Sequence, residues 1–209
     1  MKLNMKIALT FVGSLLAFSI ASIASASATI GQPAPGFAAR DVTGKQVSLT
    51  DFKGKYVVLE WNNPGCPFVQ KHYDSGNMQS LQKRFGAENV AWLSVNSTNE
   101  QSSDYMPPAK LAAWFKQHNA APAAVLMDTT GAVGRAFGAK VTPHMFVIDP
   151  NGTLVYAGAI DDKRSTNVAD VKTATNYVVA ALIDAKSGKS VSKTNSQAYG
   201  CTIKYGSAL

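Results

Sequence analysis

Apolar residues run almost unbroken through Tyr56, Val57, Val58, Leu59 and Trp61, with Glu60 the one interruption. A run of this length without alternation predicts a strand covered on both faces, as in a sheet flanked by helices. Asn62-Asn63-Pro64-Gly65 ends the run, and a helix is predicted over residues 67–85, with Pro67 suited to its first turn. Strands follow over residues 90–95 and 124–127, separated by a polar loop to Pro107-Pro108 and a helix over residues 109–118. Asp128-Thr129-Thr130 caps a short helix that reaches Phe137. Residues 141–148 predict a strand with Pro143 near its start, Asp149-Pro150-Asn151-Gly152 a turn, and residues 153–160 the hairpin partner. Val171, Ala174, Val178, Ala181 and Leu182 recur at helical spacing and predict a last helix over residues 168–185. Near the start, residues 37–42 and 46–49, split by Thr43-Gly44, read as a short hairpin. The order implies an α/β fold with a mixed central sheet and helices on both faces.

Ahead of these elements, Lys2 and Lys6 precede an apolar run from Ile7 to Ile20 and a small-residue stretch ending Ala26-Ser27-Ala28. That is the tripartite pattern of a secretory signal peptide, so residues 1–28 are expected to be cleaved, leaving no stable membrane insertion and a periplasmic or secreted protein. The run is broken by Ser14 and Ser19 and falls short of the roughly 20 residues a membrane span needs. Residues 29–186 then form one domain, and residues 187–209 a tail that a polar linker, residues 187–197, suggests to be mobile. The net charge of +7 falls to +5 on cleavage, because Lys2 and Lys6 leave while all 13 acids lie beyond the cut. Part of the surplus sits at Lys186, Lys189, Lys193 and Lys204, which read as a solvated face. No dense basic stripe interleaved with aromatics is present, so nucleic acid is not an expected partner.

The chain has two cysteines, Cys66 and Cys201, both beyond the expected cut and thus in a compartment where disulfides form and persist. Cys66 sits where a strand turns into a helix. Unpaired backbone N–H groups and the positive end of the helix dipole favour a thiolate there, and the thiolate is the nucleophile both in disulfide exchange and in attack on peroxides. Cys201 follows Tyr199-Gly200 in an aromatic and basic setting, and is the one internal partner available to Cys66. A reversible redox pair and a structural staple closing a long loop both fit that spacing.

Three segments resemble the redoxin group, which joins the alkyl hydroperoxide reductase/thiol-specific antioxidant proteins to thioredoxin-like proteins of bacterial envelopes. They are Trp61-Asn62-Asn63-Pro64-Gly65-Cys66-Pro67-Phe68-Val69, the Val141-Thr142-Pro143 strand entry, and residues 146–152 with their Asp-Pro-Asn-Gly turn. The resemblance spans about residues 30–185 and implies a thioredoxin-like fold, an oxidoreductase centred on Cys66, and a cis peptide before Pro143 packed beside that cysteine. Glu60, six positions before Cys66, matches the buried acid that relays protons in thioredoxins, and burial would raise its pKa toward that task. The alternative for Glu60 is an acid at a strand end, reaching solvent or Lys55.

The departures narrow the chemistry. Val69 stands where disulfide reductases carry a second cysteine, so a resolving thiol must come from Cys201 or another molecule. Leu59 and Asn63 stand where peroxiredoxins carry proline and a hydroxyl residue, although the Asn63 amide offers a hydrogen bond in place of the hydroxyl. The expected substrates are therefore protein disulfides or a peroxide, with an envelope thiol as reductant and no cofactor. Cys66, His72, His144, Met145 and Cys201 suit Cu(I) or Zn in ligand type, but the spacing from Cys66 to His72 places these two well apart around a helix. His72 reads instead as a helix-surface or cap residue. The competing function is a non-catalytic binding module, for a metal or a partner protein, with a structural Cys66–Cys201 disulfide.

Overall fold

The computed structural model describes residues 28–207. The expected signal segment therefore lies, apart from Ala28, outside the described residues. Within them the strands are β1 (Ala38–Asp41), β2 (Gln46–Ser48), β3 (Val57–Trp61), β4 (Ala91–Asn96), β5 (Ala124–Met127), β6 (Val141–Thr142), β7 (His144–Ile148), β8 (Leu154–Gly158) and β9 (Cys201–Thr202). The helices are α1 (Pro67–Asp74), α2 (Asn77–Ala87), α3 (Pro108–Gln117), α4 (Ala132–Phe137) and α5 (Tyr177–Lys186).

Seven strands form one sheet in the order β2-β1-β5-β4-β3-β7-β8, and β6 pairs with β9 in a separate two-stranded ribbon. β3 runs parallel to β4, and β4 to β5, while β7 and β8 close the edge antiparallel. Every residue of β3 and β4 is buried, as a strand covered on both faces requires. The side-chain period of two divides β3 between two cores. Val58 joins Tyr73, Phe85, Trp92, Leu111, Val178 and Leu182 on one face of the sheet. Val57, Leu59 and Trp61 join Val133, Phe137, Phe146 and Leu154 on the other.

Three predicted elements are divided. The helix expected over residues 67–85 breaks at Ser75-Gly76, because Gly76 takes a left-handed φ of 73° and restarts the chain as α2. The strand expected over residues 141–148 splits at Pro143, where the Thr142-Pro143 peptide is cis, sending β6 out of the main sheet. The helix expected over residues 168–185 is a 3-10 segment, Val168–Thr173, followed by α5, whose start is capped by the Asn176 side chain accepting from the Val179 amide at 3.0 Å. No helix among the described residues is long and apolar enough to cross a membrane.

The tail is laid along the domain. Residues 194–196 lie beside β8, with Ala157 N donating to Thr194 O and Ser196 N to Ala157 O. Ile203 is buried in the second core and donates its amide to Lys140 O. Tyr205 donates its hydroxyl to Ala139 O at 2.9 Å, and Arg135 lies over its ring.

Candidate functional site

Cys66 is the N-cap residue of α1, reached directly from β3 through the Asn63-Pro64-Gly65 turn. The turn is held by its own side chains: Asn63 Oδ1 accepts from Gly65 N at 2.8 Å, and Asn63 Nδ2 donates to Thr98 Oγ1 at 3.0 Å. The Asn63 amide thus shapes the loop with its oxygen and one N–H, while Asn63 also lines the cavity beside Cys66. Pro67 takes the first helical position, where no amide hydrogen is missed. Cys66 is only 2% exposed and its thiol donates to Thr142 O at 3.0 Å.

That carbonyl belongs to β6, and in the β6–β9 ribbon Thr142 stands opposite Cys201. The two cysteines, 135 positions apart in the chain, are therefore both brought to Thr142, Cys66 by its thiol and Cys201 by strand register. Both are free thiols, Cys66 buried and Cys201 half-buried. Burial, then hydrogen-bonding contact with Cys66 and its charge, push the Cys201 thiol up to about 12. Gly200 makes the approach possible, since its backbone lies against the Thr142 carbonyl. A cavity of about 220 Å³ opens beside the pair, lined in part by Asn62, Thr98, Asp104, Thr142 and Lys204. The buried Asn62 Oδ1 and Thr142 Oγ1 have no hydrogen-bond partner.

Glu60 is fully buried, which removes the alternative of an acid reaching solvent or Lys55. Its carboxylate collects Asn62 Nδ2 at 3.0 Å, Tyr73 Oη at 2.8 Å, Trp92 Nε1 at 2.8 Å and Gln82 Nε2 at 3.4 Å. Desolvation outweighs these four donors and raises the carboxyl above its ordinary range. Asn62 both donates to Glu60 and lines the cavity of the two cysteines, so Glu60 borders the site through one intervening side chain.

The remaining candidates divide. The cis Pro143 follows the residue whose carbonyl receives the Cys66 thiol. Met145 is buried in the same core cluster as Cys66. His144 turns away, stacked on Phe146 with ring centroids 4.5 Å apart, and burial lowers its pKa to about 4. His72 is not the surface or cap residue expected: it is fully buried, and desolvation followed by the neighbouring Lys71 lowers its pKa to about 3. Among the described residues, no three His, Cys, Asp or Glu side chains converge on a common point suited to a metal ion.

Sequence reasoning missed Asn62, Gly200, Lys71 and Asp161. Only Gly200 carried a local signal, a glycine immediately before the tail cysteine. The partners of the others come from distant segments.

Among curated relatives, the thiol-disulfide oxidoreductase ResA of Bacillus subtilis (strain 168) is 29% identical over 126 residues, covering 60% of this chain and 64% of that protein. The chain thus spans just under two thirds of that relative's length. A hypothetical protein from Sinorhizobium meliloti 1021 has a similar structure, with a TM-score of 0.71, 26% identity, and coverage of 87% of this chain and 97% of that one. The thioredoxin domain of a thiol-disulfide oxidoreductase from Bacteroides vulgatus shares the fold, with a TM-score of 0.51, 22% identity, and coverage of 70% and 98%. The sheet and helices are therefore thioredoxin-like, as the resemblance implied. The AhpC/TSA family profile matches residues 30–157, more than half of the chain, and this protein belongs to the AhpC/TSA family.

Proposed function

We propose that this protein is an exported thiol-disulfide oxidoreductase in which Cys66 and Cys201 alternate between dithiol and disulfide. The observation that carries this reading is the meeting of the two cysteines on Thr142, one by hydrogen bond and one by strand register. The similarity to ResA supports the class of reaction.

Cys201 is half-buried and Cys66 buried in the dithiol form, which makes Cys201 the sulfur an incoming reductant reaches first. A thiolate of an envelope reductant attacks Cys201 Sγ. The Cys66–Cys201 bond breaks, its electron pair leaves on Cys66, and a mixed disulfide forms between the reductant and Cys201. A second thiolate of the reductant attacks its own sulfur in that mixed disulfide and frees Cys201, which takes a proton. Two electrons have then entered the protein and the reductant has become a disulfide. Running in reverse, the dithiol reduces a protein disulfide. Asn62 lines the cavity where the Cys66 charge appears and holds Glu60 behind it, and the raised carboxyl of Glu60 is suited to serve as the buried proton reserve on that side.

Exchange assays with wild type, Cys66→Ala and Cys201→Ser test the reading. Cys66→Ala is expected to lose turnover and to retain a mixed disulfide at Cys201. Full turnover in Cys66→Ala would exclude the proposal.

A further inference from the structure

A buried ionic cluster ties α1, the helix that starts at Cys66, to the tail that carries Cys201. Lys71 Nζ is buried, donates to Lys163 O at 2.7 Å and stands 3.8 Å from Asp161 Oδ2. His72 Nε2 stands 3.8 Å from the same oxygen, while His72 Nδ1 is hydrogen-bonded to Asn77 Nδ2 at 3.0 Å. Burial holds the His72 imidazole toward its neutral form and also lowers the pKa of the Lys71 ammonium, and Asp161 is the foremost charge opposing that lowering at Lys71. Asp161 Oδ1 accepts from Lys163 N at 2.9 Å and from the hydroxyl of Tyr199. Lys71 Nζ also lies 5.6 Å from the centre of the Tyr199 ring, and Phe68 meets that ring edge-on at 5.7 Å.

Burying a lysine and an aspartate costs several kcal/mol for each ion, and apolar side chains of similar size often give equal or greater stability. Stability alone therefore gives no reason for the cluster, whereas its placement does. Phe68 and Lys71 lie within the first turns after Cys66, and Tyr199 lies two residues before Cys201. A hydrogen bond to a buried carboxylate is directional, so the Tyr199–Asp161 bond fixes where the tail settles after β8, and Phe68 and Lys71 bring α1 against that same ring.

We propose that Lys71, Asp161 and Tyr199 form a clamp that holds Cys201 in register against Cys66, with Tyr199 as a positioning residue for the redox pair. The proposal rests on the reading of Cys66 and Cys201 as that pair. Stability of an intramolecular disulfide follows the effective concentration of its two thiols, so loosening the tail in the dithiol form makes the disulfide easier to reduce.

The test uses the chain from residue 29 onward in three forms: wild type, Tyr199→Phe, and Tyr205→Phe, which removes a tail hydrogen bond outside the clamp. In a thiol redox buffer, the equilibrium constant for the Cys66–Cys201 disulfide is expected to fall about tenfold in Tyr199→Phe, or roughly 30 mV for this two-electron couple, and to stay within twofold in Tyr205→Phe. In a Cys66→Ser background, iodoacetamide is expected to modify Cys201 at least about fivefold faster when Tyr199 is Phe, because the tail spends more time undocked. Thermal melts confirm that each variant is folded. Tyr199→Phe values within twofold of wild type in both measurements, or an equal effect from Tyr205→Phe, would overturn the clamp. If wild type forms no Cys66–Cys201 disulfide, the redox reading fails, and the alkylation measurement still decides the clamp by itself.

Discussion

A Cβ atom at Gly200 would lie 1.9 Å from the carbonyl oxygen of Thr142, the same oxygen that receives the Cys66 thiol. Gly200 also has a φ of 141°, which side-chain-bearing residues rarely adopt. Glycine before the tail cysteine is therefore a condition for the ribbon of β6 and β9 to close over Cys66.

Gly200→Ala is expected to lift this part of the tail, with a loss of about 1–3 kcal/mol from backbone strain and lost docking. Urea melts measure the loss, and alkylation followed by mass spectrometry measures the accompanying exposure of Cys66. Wild-type stability together with unchanged protection of Cys66 would contradict the account.

Cys201 provides a pH prediction. With its thiol pushed up to about 12, the reactive thiolate is scarce near neutrality. Alkylation of Cys201 in the reduced protein is expected to climb roughly tenfold per pH unit through pH 10, with no plateau. Peptide-resolved alkylation rates check this, and a plateau near the ordinary thiol value of 9.0 would contradict it.

Glu60 gives a second pH dependence, of known sign. In the unfolded chain this carboxyl ionises near its ordinary value of 4.5, whereas burial raises it in the folded protein. Between those two values the folded protein keeps a proton that the unfolded chain has lost, so stability falls as pH rises through the window. Glu60→Gln does not titrate, so that part of the slope disappears. Urea midpoints for both proteins from about pH 4 to 8 are expected to move in favour of the variant as pH rises. A constant difference would exclude the buried acid as the source.

The Lys71–Asp161 pair predicts non-additive stability. Lys71→Met leaves Asp161 buried without its cation and is expected to cost about 3 kcal/mol, while adding Asp161→Asn recovers part of that loss. A double-mutant cycle by urea denaturation measures the coupling, and strictly additive losses would show that the two side chains do not act together.

Much of this architecture is legible in the sequence where the signal is local. The unbroken apolar run in β3, the strand at β5, and the Asp-Pro-Asn-Gly turn between β7 and β8 announce themselves within a few residues. The helix break at Gly76 was hidden because the apolar spacing continues across it into Met78, Leu81 and Phe85, which pack in the same core. The ribbon of β6 and β9 is only two residues long on each side and joins segments about 60 positions apart, so no periodicity betrays it. Burial of His72 and Lys71 was equally hidden, because it depends on Asp161 and Tyr199 arriving from distant parts of the chain. Cys66, Cys201, Glu60 and Pro143 were visible as candidates by type and position. Their arrangement around Thr142 is a property of the folded chain.

The central claim is that Cys66 and Cys201 are a working pair, and the reduction potential of their mass-spectrometrically mapped disulfide tests it most directly. The account predicts a Cys66–Cys201 bond in the oxidised protein, two thiols gained on reduction, and a potential above about −300 mV, in the range of disulfides that cycle. A potential below about −300 mV would identify a structural staple, and two free thiols persisting in an oxidising buffer would contradict the pairing itself.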